Sequence, residues 1–393
     1  MNGPALRRIL LALFCARNGT ADLPLADLSD EDWHRLDSMA GQHRLQPLLH
    51  AHHGSNSAIP AAIRDGWRMA HRAASLEAML QLVELSETTA LLESAGFAPI
   101  ALKGAWLAWH AYPEAALRPM RDLDLLVTPE TVVPAFEALL AAGYRQESES
   151  EFTLAEIVRL EKHMPPLLAP RGTRIELHHR LWEADGVLDH ATPDGCEDAV
   201  RLRAIGLGGV TFPAPQDMLV HLMVHAVYSH RLDCGPLVLA DLHFLLAQCP
   251  IDWTEFWLRA QREGWRDGAL LMLTLAQRFQ GTSGRIDWPG DNQPPPARLI
   301  AAAPDLLLQD LATRKSASVM ATARSAGPAA LLRRLTGQRI TETGNKATRD
   351  MTREGGFLGW AWSRTRRTFG EFGSSEVRRQ SRELARLSDW LGR

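Results

Sequence analysis

The sequence predicts an α+β fold, a short run of strands set between two helical regions, and three observations carry that prediction. Leu123 to Val127 is an apolar run that reads as a mostly buried strand. Thr173 to Leu181 alternates, with Arg174, Glu176, His178 and Arg180 on one face and Ile175, Leu177, His179 and Leu181 on the other, as a half-buried strand does. Ala61 to Ser94 carries long helical periodicity that stops at Gly96.

Residues 1–96 read as a helical region. Arg7-Arg8 followed by Ile9 to Ala16 has the look of a leader, but the run is short and enters Arg17-Asn18-Gly19 without a small-x-small pattern, so a first helix is expected. Ser29 caps a turn opened by Asp30, Glu31 and Asp32. A core of 97–182 follows. Phe97 to Leu102 reads as a strand, Lys103-Gly104-Ala105 as the turn leaving it, and Trp106 to Ala111 as the start of a helix, an arrangement that aims backbone N–H groups at an anion. Thr128-Pro129-Glu130 supplies a cap, a first-turn proline and an acid for a helix that runs to Ala142 and ends at Gly143. Pro170-Arg171-Gly172 joins Met164 to Ala169 with Thr173 to Leu181 as a hairpin. Residues 183–290 form a second helical region, with amphipathic helices over Gln216 to Ser229 and Leu237 to Ala247. Pro289 to Pro296 is a loop, and 291–393 reads as a linker and basic tail.

The chemistry concentrates at Asp122-Leu123-Asp124. The two carboxylates share a strand face about 7 Å apart at Cα. Anions held that close repel unless a cation sits between them, and Mg2+ takes one or two protein carboxylates while water and phosphate oxygens complete its shell. An exposed edge or a solvated turn produces the same letters. Arg118 and Arg121 flank the pair and suit phosphates. Only four of the 43 basic residues are Lys, so Lys103 beside a glycine turn offers a compact ammonium to a phosphate, or is an ordinary surface Lys. Glu176 adds a third carboxylate to the same sheet face, the count a two-metal site wants. His178 shares that face, to touch a phosphate or the acceptor or to support the acids structurally. His221 and His225 stand four apart, a metal-binding spacing with no third ligand in the motif, which packed histidines also show.

Leu102-Lys103-Gly104, Arg118 to Val127 and Ile175-Glu176-Leu177-His178-His179-Arg180-Leu181-Trp182 together resemble the polymerase-beta-like nucleotidyltransferase superfamily, and within it a bacterial family of poorly characterised nucleotidyltransferases. The resemblance covers roughly residues 30 to 255. It implies a small mixed sheet with flanking helices, two Mg2+ ions, an NTP with ATP as the expected nucleotide, and transfer of a nucleoside monophosphate to a hydroxyl with loss of pyrophosphate. By motif match Asp122 and Asp124 bridge the metals, Glu176 is the third acid, and Gly104 lies beneath the triphosphate, which Lys103, Arg118, Arg121 and His178 are expected to contact. Two departures stand out: Ala105 follows Gly104 where the superfamily commonly has Gly or Ser, and the interval from Gly104 to Asp122 is long, with Tyr112 to Leu117 as a loop. The acceptor is a small molecule or a peptide, by analogy with the family's gene surroundings. A nucleotide-binding or partner-binding protein with weak catalysis, antitoxin-like, is the alternative.

Composition bounds the partners. At 393 residues, 46% hydrophobic and 23% charged, the chain has the make-up of a soluble protein of two or three domains. Cys15, Cys196, Cys234 and Cys249 lack paired metal spacing, which favours a reduced cytoplasmic setting. No segment approaches the ~20 apolar residues that span a bilayer. Leu331 to Arg393 holds 14 Arg or Lys against seven Asp or Glu, so this stretch carries +7 in a chain of -3. That asymmetry suits an anionic partner or docking on the acidic body, and Phe357 to Trp362 beside Arg364, Arg366 and Arg367 suits an interface. No repeated aromatic-basic pattern or nucleic-acid module is present, so nucleic acid is not an expected partner.

Overall fold

The computed structural model describes residues 1–15, 23–147, 152–182, 200–201, 203–281, 286–290, 293–325 and 374–392. The architecture is α+β, a small mixed sheet with helices before and after it. Two compact units share the chain discontinuously. One comprises Met1–Val83, Lys103–Arg121 and Pro213–Asp310; the other comprises Glu84–Leu102, Asp122–Phe212 and Leu311–Arg393.

The first unit is helical. Gly3–Cys15 forms the expected first helix and buries Leu6, Leu10, Leu13 and Phe14. Asp30–Gln42 starts at Ser29, whose hydroxyl accepts from the Asp32 N–H while the Asp32 carboxylate accepts from the Ser29 N–H, a complete capping box. Gln46–His53 follows, then Ala61–Ser94, which passes into the second unit at Glu84 and ends before Gly96 at φ +88°. Later helices are Pro215–Val224, continued by π-helical His225–Ser229, then Leu237–Gln248, Trp253–Arg262, Arg266–Gln280 and Ala297–Leu307.

The second unit holds five strands in one sheet: β1 (Ile100–Ala101), β2 (Leu123–Leu126), β3 (Arg145–Gln146), β4 (Leu167–Leu168) and β5 (Arg174–His178). The order is β1-β2-β5-β4-β3, with β2 and β5 parallel and all other pairs antiparallel. Leu123, Leu125, Ile175 and Leu177 are buried on one face, and the helix Val132–Ala141 packs against β5. A second ribbon pairs β6 (Ile205–Leu207) with β7 (Val210–Phe212).

The hairpin that delivers Glu176 is held at its turn. Glu84, 1% exposed, accepts from the N–H of Arg171 at 2.5 Å and of Thr173 at 2.9 Å. Arg171 also pairs with Glu87, and Gly172 turns the chain at φ +101°, where a side chain would be strained.

Three expectations are corrected. The strand expected over Phe97 to Leu102 is only Ile100–Ala101. The helix expected from Thr128 begins at Val132, because Thr128 to Thr131 closes a separate turn through the Thr131 N–H to Thr128 carbonyl bond of 3.1 Å. Past Pro296, where a linker and tail were expected, lie helices: Ala297–Leu307, and in the second unit Arg314–Ser325 packed on Ser375–Leu391. Phe357 to Arg367 lies outside the described residues.

Candidate metal centre

Parallel pairing sets Asp124 directly opposite Glu176, so the alternation of each strand places both carboxylates on the polar face. His178, two residues beyond Glu176 on β5, joins them. One ligand atom from each of Asp124, Glu176 and His178 lies within 4.8 Å of the other two. His178 Nε2 is 2.9 Å from Asp124 Oδ1 and 3.6 Å from Glu176 Oε2. Its Nδ1 faces the Arg180 carbonyl at 3.4 Å. Arg174 Nη2 reaches Glu176 Oε1 at 3.0 Å.

A fourth group arrives from outside the sequence motif. His163 is bridged to His178 in antiparallel fashion, with ring centroids 5.1 Å apart. Its Nε2 stands 3.8 Å from Glu176 Oε2, and its Nδ1 is 2.8 Å from the Met164 carbonyl. Sequence reasoning missed His163. Its only signal was a position at the start of the strand preceding the hairpin, which by itself does not say that the ring reaches across to Glu176.

Electrostatics follow from this crowding. Burial by itself would raise the Glu176 carboxyl, but the hydrogen bond with His178 and the His163 charge outweigh that and the repulsion from Asp124, and hold it at about 2. Burial, the largest influence on His163, lowers it.

The other expected residues divide between the two units. Asp122, half-buried just before β2, lies outside the group of mutually close ligand atoms. Lys103, Gly104, Arg118 and Arg121 belong to the helical unit. Lys103 takes φ +44° and ψ −110°, a conformation that costs a side-chain-bearing residue of order 1–3 kcal/mol, and opens the helical turn Gly104–Trp106. A Cβ on Gly104 would stand 2.9 Å from Met120 Sδ, so the position admits little beyond hydrogen. Arg118 forks onto Asp241, with Nε to Oδ1 at 2.7 Å and Nη2 to Oδ2 at 3.0 Å, and Tyr112 donates to the same carboxylate at 2.7 Å. Arg121 is exposed. His221 and His225 stack edge to face at 6.0 Å inside the helical unit, and no metal-ligating group of three is found there among the described residues.

Fold and cluster together define a class of protein: α+β, with two acids and an imidazole gathered on one face of a small mixed sheet. The chain belongs to the family of uncharacterised nucleotidyltransferases, whose model matches residues 29–281. No curated protein and no solved structure matches the chain. Among the described residues no helix is long and apolar enough to cross a membrane.

Proposed function

We propose that this chain moves a nucleoside monophosphate from an NTP, ATP being the expected one, to a hydroxyl of a small molecule or peptide. The acceptor oxygen bonds to the α-phosphorus as the bond to the pyrophosphate oxygen breaks, and the hydroxyl proton leaves to solvent. The observation that carries this reading is the parallel register that sets Asp124 against Glu176 with His178 beside both. Those three side chains would hold a divalent ion, which supplies charge neutralisation at phosphorus and a lowered pKa at the attacking hydroxyl. Glu176 stays ionised for that task throughout the physiological range. Asp122 is assigned to a second ion, Mg2+ carried in with the triphosphate. On the sequence resemblance Lys103 and Gly104 meet the triphosphate, and of the two arginines we assign this role to Arg121, because Arg118 is already forked onto Asp241. Cytoplasmic residence is part of the same reading and is supported by Cys15, Cys234 and Cys249, which form no disulfide.

The test follows the α-phosphate label of each NTP into candidate acceptors, co-encoded proteins included, while pyrophosphate release is measured. Asp124→Asn should lower metal-dependent release by more than about a hundredfold with the fold intact, since loss of a direct ligand should exceed the 10–100-fold typical of groups behind it. Full activity with unchanged metal dependence would falsify the reading. A nucleotide-binding protein without turnover is the second reading, favoured by the Arg174 contact that already satisfies one Glu176 oxygen. Tight NTP binding with no label transfer to any acceptor would select it.

A further inference from the structure

The imidazoles of this centre, and not only its acids, carry information about the ion. His178 Nδ1 and His163 Nδ1 each face a backbone carbonyl, of Arg180 at 3.4 Å and of Met164 at 2.8 Å. A carbonyl oxygen only accepts, so a ring whose Nε2 binds an ion has an acceptor ready for its Nδ1–H. Both Nε2 atoms face the acids: His178 Nε2 lies 2.9 Å from Asp124 Oδ1, where without an ion its N–H donates to the carboxylate, and His163 Nε2 lies 3.8 Å from Glu176 Oε2. Asp124, Glu176 and His178 thus converge, with His163 beside Glu176 and a carbonyl behind each imidazole. Metal-bound histidines are held in just this way, with the far N–H donated to a carbonyl that fixes the tautomer.

Resting on the metal-dependent reading above, we infer that His178 is a direct nitrogen ligand, with His163 as a second one drawn in on binding, and that the centre prefers a borderline first-row transition ion such as Mn2+ to Mg2+. Mg2+ wants an oxygen shell and dehydrates reluctantly, whereas imidazole suits transition ions. The sheet supplies two oxygens and up to two nitrogens. That donor set differs from the three-carboxylate arrangement the sequence motif implies, and the difference comes from residues that the acid motif does not include.

The full chain, stripped with chelator and without nucleotide, is titrated with Mn2+ and examined by pulsed electron paramagnetic resonance. Bound Mn2+ should show nitrogen modulation that changes character in protein labelled with 15N-histidine and shrinks in His178→Gln. Competition should give Mn2+ at least a tenfold advantage over Mg2+, and His178→Gln should erase most of that advantage while circular dichroism stays unchanged. His163→Gln, at the more exposed ring, should weaken Mn2+ about tenfold, and it keeps the test decisive if His178→Gln fails to fold. Mn2+ bound without nitrogen modulation would overturn this inference and leave nucleotidyl transfer standing. Equal affinities for Mn2+ and Mg2+ would overturn it too. Failure to bind any divalent ion, with NTP turnover intact, would show that a protonated His178 serves as the site's own cation, and the inference falls. The same failure without turnover removes the enzymatic reading as well.

Discussion

Two buried carboxylate sites, one in each compact unit, are built on opposite plans. Asp241, 2% exposed, is one anion facing the fork of Arg118 and the hydroxyl of Tyr112. Its charge is answered within the protein. Asp124 and Glu176 are two anions set opposite each other in a parallel pair, with imidazole nitrogens between and beside them. The first arrangement joins one acid to one base, and in the second Arg174 and the imidazoles offset the repulsion between two acids.

The comparison is broken most directly by neutralising one acid in each site. Asp241→Asn strips Arg118 of its partner and should cost about 3–5 kcal/mol in urea unfolding. Asp124→Asn relieves a repulsion and should change stability by less than about 1 kcal/mol, or raise it, although it removes a proposed ligand. Equal losses in both variants would mean that Asp124 is as structural as Asp241.

A smaller effect separates the neighbours His178 and His179, which strand alternation sends to opposite faces. His179 is fully buried, with Nε2–H donating to the Val158 carbonyl at 3.0 Å and Nδ1 without a hydrogen-bond partner. Burial first, and the Arg180 charge second, push it down to about 4. The unfolded ring titrates near 6.5. Between those values the unfolded chain binds a proton that the folded one refuses, so stability is present above pH 6.5 and is lost as pH falls toward 4. The loss attributable to this ring is on the order of 3 kcal/mol. Melting curves at pH 7.5 and 5 should show a shallower acid loss in His179→Gln than in the parent chain, and identical slopes would exclude the buried ring as the cause.

The smallest effect concerns Lys103, the strained residue at the head of Gly104–Trp106. Lys103→Gly removes the Cβ from a positive-φ position and should stabilise the fold by up to about 1 kcal/mol. It should also raise KM for the nucleotide. A stabilised variant with unchanged KM would leave the strain in place and remove the phosphate role.

Much of this was legible before folding. Ser29 and Asp32 interact within one turn, Gly96 ends a 34-residue helix, and the Pro170-Arg171-Gly172 turn announces the hairpin, although the distant Glu84 also holds it. Start points were read less well, because Pro129 fits the first turn of a helix and a turn ahead of one equally, and the Thr128 to Thr131 turn decides the matter.

Strand alternation by itself determined that Glu176 and His178 share a face opposite His179, because that pattern has a period of two residues and involves no distant contact. Tertiary structure alone decided three things. The parallel register placed Asp124, rather than Asp122, against Glu176. The fold brought the His163 ring to the acids. And Asp241, 123 positions away in the chain, captured Arg118. Each depends on which surfaces pack together, and packing is settled by the whole core, so no motif around Asp122 and Asp124 could state it in advance.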